Sequence, residues 1–587
     1  MSDKRAALQT IIGKLAKLIP LLASDKPGEV LNAVQAIRNL LASARLDLHD
    51  LVTLISGEVV ELLRSLLEKD DDVLLRLGRA GASLFHSQQG ATFADVIVRK
   101  HRVTWQITSP EFEDWLLHQF FLEQRRAPTA SAMRNAIRSL SAQAKFEGDQ
   151  HDVQLRAADS GGRIYLDLGD EQWRAVEMDK VDWRVVEPPV RFRRTAAMRP
   201  LPLPQRGGSI HQLRRFVNLN ESDFILLVAV LVDALRPGKP HPVLYLAGEE
   251  GTAKSTLAKI VRLLIDPSGT PLRTLPGKVR DFFVSAHNNY ALSFDNISRI
   301  TPAISDALCQ ISSGSGFGIR KLYTDGAEFL VGESRPVVLN GLANCITRSD
   351  LADRAAILNL APIKQEDRRS EAEFWNDFEA ERPQIFGAML DVLVHGLREE
   401  PRVRSRLHRL PRMADFVIRS VACEGAFAAE GTFLRAFEAS AVETTETLIE
   451  HDCVATAVRA FMIERCSWHG TATQLLLELT DCDRTEAQVS KWTSWPRNPS
   501  LFSNHLRTVA ANLRKLGIEI SFDKKTPDRR RTRIIEMCKI EQEARPQQPE
   551  RRPAARADSA AGVADDADGA DGADGALGLG RLIVLRR

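Results

Sequence analysis

The chain has 587 residues, too many for one hydrophobic core, so about three to five domains are expected. Its 79 basic and 77 acidic residues leave a net charge of +2, which excludes a uniformly basic nucleic-acid binder and confines any such surface to local clusters. Apolar residues make up 44%, enough for packed cores, and the seven cysteines, an odd number with no C-x-x-C pair, exclude a disulfide framework or zinc ribbon and suit a reducing cytosol. The N-terminus carries no signal-peptide pattern. The most apolar run, Phe224 to Leu235, is too short for a bilayer and is interrupted by Asp233, so a cytoplasmic protein with no membrane partner is expected.

Residues 1–60 read as a helical hairpin. Leu15, Leu18 and Leu22, then Val30, Val34, Ile37 and Leu41, form two apolar stripes broken at Ser24–Gly28. Residues 90–200 mix a helix (Glu111 to Glu123) with short strands at Val153–Arg156, Arg163–Leu168 and Trp173–Val176, an α+β adaptor. Asp167 and Asp170 flank Gly169 as a hairpin turn would, so they are not read as a polymerase-type metal pair. The proline- and arginine-rich stretch from Glu187 to Gly208 suits an extended linker.

The most informative segment follows. Val243 to Leu246 supply a buried strand, GEEGTAKST over 248–256 a glycine-bearing loop, and Leu257, Ile260, Val261 and Leu264 a helical stripe. This is the arrangement that cradles nucleotide phosphates on free amides at a helix N-terminus. Gly248, Glu249, Glu250, Gly251, Thr252, Ala253, Lys254, Ser255 and Thr256 are therefore the candidate ATP-binding residues. Lys254 would neutralise the outer phosphates and the Ser255 hydroxyl would join a Mg²⁺ shell. One position departs from G-x-x-x-x-G-K-[ST]: Ala253 stands where a second glycine belongs, and a positive φ there would cost about 1–2 kcal/mol.

A second apolar strand, Tyr290–Phe294, delivers Asp295, a Walker B candidate able to hold Mg²⁺. Asn296 follows it where many ATPases place a glutamate, and an amide is no general base. Glu249, Glu250 and Asp306 are alternatives for that task. The segment 312–331 contains Asp325-Gly326 between two strand patterns, a hairpin whose Arg320 and Lys321 suit a nucleic-acid backbone. A third strand, Pro336–Asn340, ends in Asn340, an amide suited to orient water or contact a γ-phosphate. Arg348 and Arg354 come next, either as a finger toward a neighbouring subunit or, for Arg354, as an i,i+4 partner of Asp350.

In this order, GEEGTAKST, LSFDN, a glycine-rich basic hairpin, VVLN and LADR resemble superfamily 3 AAA+ helicases, specifically the ATPase half of phage and plasmid primase-helicases. The resemblance covers about residues 205 to 440. It implies a multi-domain chain with an α/β P-loop AAA+ core at 205–395, a helical lid at 396–445, and a homo-oligomeric ring, commonly a hexamer. Such a ring hydrolyses ATP between subunits and moves along single-stranded DNA. By the same resemblance Lys254 and Ser255 bind phosphates and Mg²⁺, Asp295 holds the metal, Asn340 is the sensor and Arg354 is the favoured finger. Ala253 and Asn296 are departures, which put the turnover rate in question. Arg412, in the expected lid, either reaches the nucleotide or starts a helix.

Residues 446–543 read as a winged helix. Thr471–Leu479 and Pro499–Gly517 are helical, and strands Ile518–Phe522 and Thr532–Met537 flank a basic loop. Arg507, Arg514 and Lys515 on the helix, with His505, Thr508 and Asn512, and Lys524, Lys525, Arg529 and Arg530 in the loop, are candidate contacts to DNA, duplex included. Residues 544–587, rich in Pro, Arg, Ala, Asp and Gly, should be disordered. Two functions fit: a DNA-stimulated ATPase and helicase replicating a phage, plasmid or integrated element beside a separate primase, or a nucleotide-gated DNA-binding regulator or origin-recognition protein that hardly hydrolyses ATP.

Overall fold

The computed structural model describes residues 2–47, 69–238, 240–320, 328–331, 334–342, 345–408, 410–481, 495–522 and 533–540. At the start, helices Ser2–Leu18 and Pro27–Ser43 pack through Ile11, Leu15, Ile37 and Leu41. Their apolar residues recur every three or four positions, which puts them on facing stripes.

The next unit combines two four-stranded sheets with a short parallel pair, Val153–Gln154 beside Arg191–Phe192. His101–Gln106, Thr92–Val98 and Ala82–His86 are antiparallel, with the short Asp149–Gln150 strand added in parallel. Helices Asp70–Gly81, Pro110–Gln124 and Ala130–Phe146 cover this sheet through Leu74, Phe112, Leu116, Phe120 and Leu140. The helix and strand from Asp70 to His86 thus lie ahead of the expected start at residue 90. The second sheet is an antiparallel meander of Ala157–Ser160, Arg163–Asp167, Ala175–Met178 and Trp183–Val186.

The stretch expected to be a linker is instead docked. Arg191 donates to Asp95 at 2.8 Å, Arg194 grips Asp167 through two nitrogens at 2.9 and 2.6 Å, and Leu201 is buried. Arginine and proline composition suits a linker, but the Arg191 and Arg194 guanidinium groups find buried carboxylates, and Arg193 and Arg199 donate to backbone carbonyls. The same contacts account for Asp167, while Asp170 pairs with Arg174 at 2.6 Å. No group of three or more histidine, cysteine or acidic residues able to hold a metal occurs among the described residues.

The middle of the chain builds a four-stranded parallel sheet in the order Leu292–Ile297, Val337–Gly341, Val243–Ala247, Ala355–Asn359. Both faces are buried, so the central strand reads as an unbroken apolar run. Leu244 and Leu246 pack on one side, with Leu257, Val261 and Leu264 of helix Lys254–Ile265 and with helices Glu221–Asp233, Glu371–Arg406 and Ala414–Glu424. Val243, Tyr245 and Ala247 face the opposite core of Phe282, Phe283, Ile304 and Leu308.

Buried ions tie this unit together. Asp233 accepts from Arg419 Nε at 2.5 Å and from His241 Nδ1 at 2.9 Å, all three side chains being buried. Burial works to raise the Asp233 carboxyl, yet the charges of Arg419 and His241 hold it at about 2. Beside the meander, Arg156 donates to Asp266 at 2.9 Å and to the carbonyls of Asp167 and Arg199, joining the second sheet to the end of helix Lys254–Ile265.

Helix Thr432–Glu450 leads to the last unit. There Ser467–Thr471, Ile534–Lys539 and Ile518–Ser521 form an antiparallel sheet against helices Cys453–Ile463, Ala472–Asp481 and Pro499–Lys515. The strand at Ser467–Thr471 was not anticipated. Its residues alternate between half-buried and exposed and include Gly470, so its sequence carries little strand signal.

Candidate functional site

The loop between strand Val243–Ala247 and helix Lys254–Ile265 is shaped by three residues with positive φ. Gly248 lies at 153°, Gly251 at 81° and Ala253 at 63°. A side chain at Gly248 would also sit 2.8 Å from the Leu360 carbonyl, so the loop needs glycine there for space as well as torsion. Ala253 occupies the helix N-cap in the left-handed region with no side-chain cap, the strained alanine that the motif departure foretold. Thr252 is buried and its hydroxyl donates to the Glu249 carbonyl at 3.0 Å, closing the loop on itself. Glu249 and Glu250 are exposed at its tip, and Thr256 lies in the first helical turn.

Lys254 folds back over the loop, its ammonium donating to the carbonyls of Gly248 at 2.8 Å and Glu249 at 2.5 Å. One residue on, the Ser255 hydroxyl donates to Asp295 Oδ1 at 3.1 Å. Asn340 Nδ2 in turn donates to Ser255 Oγ at 3.2 Å, and the Asn296 N–H donates to both Asp295 Oδ1 (2.8 Å) and Asn340 Oδ1 (3.3 Å). Thus Ser255, Asp295 and Asn340, from three separate segments, form one hydrogen-bonded group.

Their meeting follows from the sheet. Leu246 pairs with Asn340 and Phe294 with Leu339, so parallel strands deliver the loop, Asn340 and Asp295 to the same carboxyl-terminal edge, where ligands of open α/β sheets bind. Asp295 lies within the strand Leu292–Ile297 rather than after it, because a bulge there lets Asn296 take φ 54°. Asparagine tolerates that conformation well. Hard oxygen donors from Ser255 and Asp295 beside a lysine and helix-start amides fit a magnesium-bound phosphate in chemical type.

A neighbour that the sequence did not disclose is Arg368. Its guanidinium lies 3.8 Å from where a side chain on Gly251 would begin, which adds a second cation to the loop's rim. At the other side, Asp223 accepts from Asn220 Nδ2 at 3.0 Å and from the N–H of Asn359, which pairs with Ala247 at the mouth of the loop. Burial, reinforced by the charge of Glu443, pushes the Asp223 carboxyl up to about 6.

The two finger candidates are held within this chain. Arg348 bonds Asp306 at 2.7 Å, which also occupies that alternative base. Arg354 takes the i,i+4 pairing, donating to Asp350 Oδ1 at 2.6 Å and to the Asp350 carbonyl at 3.0 Å. Arg412 reaches neither loop nor lysine: it bonds Asp350 at 2.5 Å and Asp353 at 3.3 Å. Burial works to raise the Asp350 carboxyl, but hydrogen bonds from Arg354 and Cys309 and the charges of both arginines keep it below its usual range.

Among the residues expected to meet DNA, Arg320 lies in strand Phe317–Arg320, opposite Glu328 of the antiparallel strand Glu328–Val331; Lys321 is outside the described residues, as are Lys524, Lys525, Arg529 and Arg530. Arg507 stacks over Phe522 at 4.0 Å, Arg514 faces Glu519 at 3.9 Å, and Lys515 bonds Asp353. Asn512 is buried rather than outward, and His505 is tied to Asp452 at 2.7 Å.

Residues 210–445 match the family model described as the actinomycete integrative conjugative element replication protein, and residues 454–553 match the one described as the AICE RepA C-terminal domain. No curated protein matches the chain. Among solved structures, the chain is similar to the SCCmec type IV Cch active helicase at 11% identity, with a TM-score of 0.42, over 78% of this chain and 94% of the other. It is also similar to the apo NrS-1 C-terminal region at 8% identity, with a TM-score of 0.35, over 80% and 99%. No helix among the described residues is long and apolar enough to cross a membrane.

Proposed function

We propose that the chain is an ATP-dependent DNA helicase or translocase that acts in the cytoplasm to replicate an integrated mobile element. The observation that carries this reading is the convergence of Lys254, Ser255, Asp295 and Asn340 at one edge of a parallel sheet. The replication-protein family models over 210–445 and 454–553 support the same reading.

In this account residues 205–395 are a superfamily 3-like P-loop AAA+ core, 396–445 its lid and 446–543 a winged helix. Lys254 leaves the loop carbonyls to neutralise the outer phosphates of ATP, the helix-start amides bind the remaining oxygens, and Ser255 and Asp295 hold Mg²⁺. Held there, Mg²⁺ would supply positive charge to the phosphate oxygens. Asn340 orients Ser255 and the terminal phosphate, and Arg354 serves the adjoining subunit of a ring, for which a hexamer is the favoured form. Single-stranded DNA runs through the ring past the strand pair that includes Arg320, with Lys321 next in sequence, and the C-terminal helix carries Arg507 and Arg514 to a phosphate backbone. A separate primase would supply primers.

Strand displacement and ATP turnover, measured together with single-stranded DNA added, test the proposal. A helicase unwinds and its hydrolysis rises with DNA; Lys254→Ala abolishes both. The strained Ala253 and the amide Asn296 favour a second reading, a nucleotide-gated DNA-binding regulator. It would bind a particular duplex, turn over little ATP and unwind nothing.

A further inference from the structure

Two carboxylates and three cations meet beside the turn that carries Arg354. Asp350 Oδ1 accepts from Arg354 at 2.6 Å and from Arg412 at 2.5 Å, the same oxygen serving both guanidinium groups. Asp353 accepts from Arg412 at 3.3 Å through one oxygen and from Lys515 through the other. The cations come from three places: the turn before strand Ala355–Asn359, the approach to helix Ala414–Glu424, and the last turn of helix Pro499–Lys515.

The arrangement is neutral without Arg354. If its side chain leaves, Arg412 already touches the oxygen it vacates, and Lys515 already touches Asp353, so each carboxylate keeps one cation. An aspartate stripped of its only partner would resist that departure, because uncompensated charge at a partly buried site is costly. The backbone need not move: the Arg354 carbonyl accepts from the Val243 N–H at 2.9 Å, which anchors the residue to the sheet while its side chain turns.

We infer that Arg412 is a positioning residue that frees Arg354 for the neighbouring subunit's nucleotide by taking over Asp350, with Lys515 taking over Asp353 in the same exchange. This rests on the reading of Arg354 as a finger acting between subunits. It assigns Lys515 a role in charge balance rather than contact with DNA, and Arg412 a role away from the nucleotide.

The test is steady-state ATP hydrolysis by the full chain in Arg354→Ala, Arg412→Gln, Arg412→Lys and the double variant Asp350→Asn with Arg412→Gln. Arg412→Gln should lower kcat about fivefold, as expected for losing one partly exposed ion pair, while KM for ATP stays at the wild-type value. Arg412→Lys should recover most of that loss. The double variant should recover it too, since Asp350, the carboxylate that holds Arg354, is gone, and a merely structural arginine would not be rescued by removing its partner. Wild-type kcat in Arg412→Gln, or a double variant as slow as Arg412→Gln, overturns the inference. If Arg354→Ala itself hydrolyses ATP at the wild-type rate, the finger reading falls, and the inference falls with it; a slow Arg354→Ala beside an unaffected Arg412→Gln rejects the exchange alone.

Discussion

Asn340 donates its side-chain N–H to the Ser255 hydroxyl at 3.2 Å, although 85 positions separate them in the chain. Asn340 is 1% exposed and sits directly across the sheet from Leu246, two residues ahead of the glycine loop. Strand pairing therefore places the amide that, with Asp295, holds the Ser255 hydroxyl. Asn340→Ala removes that support while Asp295 Oδ1 still satisfies the Asn296 N–H. Its kcat for ATP should fall by at least about tenfold, in keeping with losing a preorganised donor, while nucleotide affinity changes only slightly. Single-turnover hydrolysis beside equilibrium binding separates the two quantities.

Asp295 is the carboxylate bonded to Ser255, and magnesium is commonly held by one or two carboxylates plus substrate phosphate. Asp295→Asn should raise the Mg²⁺ concentration needed for half-maximal hydrolysis by about tenfold or more, and chelation should stop wild-type turnover. A magnesium titration of initial rates checks this.

Ala253 holds φ 63° and ψ 28° at the N-cap of helix Lys254–Ile265. Ala253→Gly removes the steric cost of that conformation and should stabilise the unit by about 1 kcal/mol, partly offset by the freer unfolded chain. Scanning calorimetry should show the melting midpoint rise by about 2 °C.

Asp223 gives a pH signature. Its carboxyl is raised to about 6 in the fold from 3.8, so the folded chain binds this proton more tightly than the unfolded one. Its stabilising contribution is complete below the unfolded value and is lost as pH rises through about 6. Asp223→Asn should therefore be more stable than the wild type above pH 6, by about 1–2 kcal/mol, with the gain vanishing near pH 4. Paired thermal melts across that range measure it.

His505 is shifted the opposite way in charge. Its hydrogen bond to Asp452 raises the imidazole above its usual value, so this pair stabilises the fold below that value and stops doing so as pH rises past the raised one. Asp452 also caps helix Cys453–Ile463, accepting from Val454 N–H at 3.0 Å and Ala455 N–H at 2.9 Å. His505→Gln should lose stability relative to the wild type under mildly acidic conditions and match it in alkaline buffer, in denaturation curves at several pH values.

The glycine loop was legible because its signals are local: a buried apolar run, glycines where φ turns positive, and a helical stripe after Lys254. Asp295 was legible as an acid at the end of an apolar strand, but the bulge that turns Asn296 depends on pairing with Val337–Gly341. Arg354 presented both a finger and an Asp350 partner. Its setting was hidden because Arg412 lies 62 residues from Asp350 and Lys515 lies 162 from Asp353. Arg368 was missed for a similar reason: nothing in its local pattern says that the chain after Asn359 passes the glycine loop. The Glu187–Gly208 stretch reads as an extended linker on its proline and arginine content, whereas Arg191 and Arg194 find Asp95 and Asp167, which are distant in sequence or hidden in the meander. Asn512 was placed outward on polarity, although it lies beside Val509 and Leu513 on the buried face.

The proposed helicase activity requires that a nucleoside triphosphate bind at Lys254. Isothermal titration of the full chain with a non-hydrolysable ATP analogue and Mg²⁺ tests it most directly. Saturable binding by the wild type should be lost in Lys254→Ala and retained in Arg354→Ala. No heat of binding from the folded wild-type protein, or equal affinity in Lys254→Ala, would contradict it.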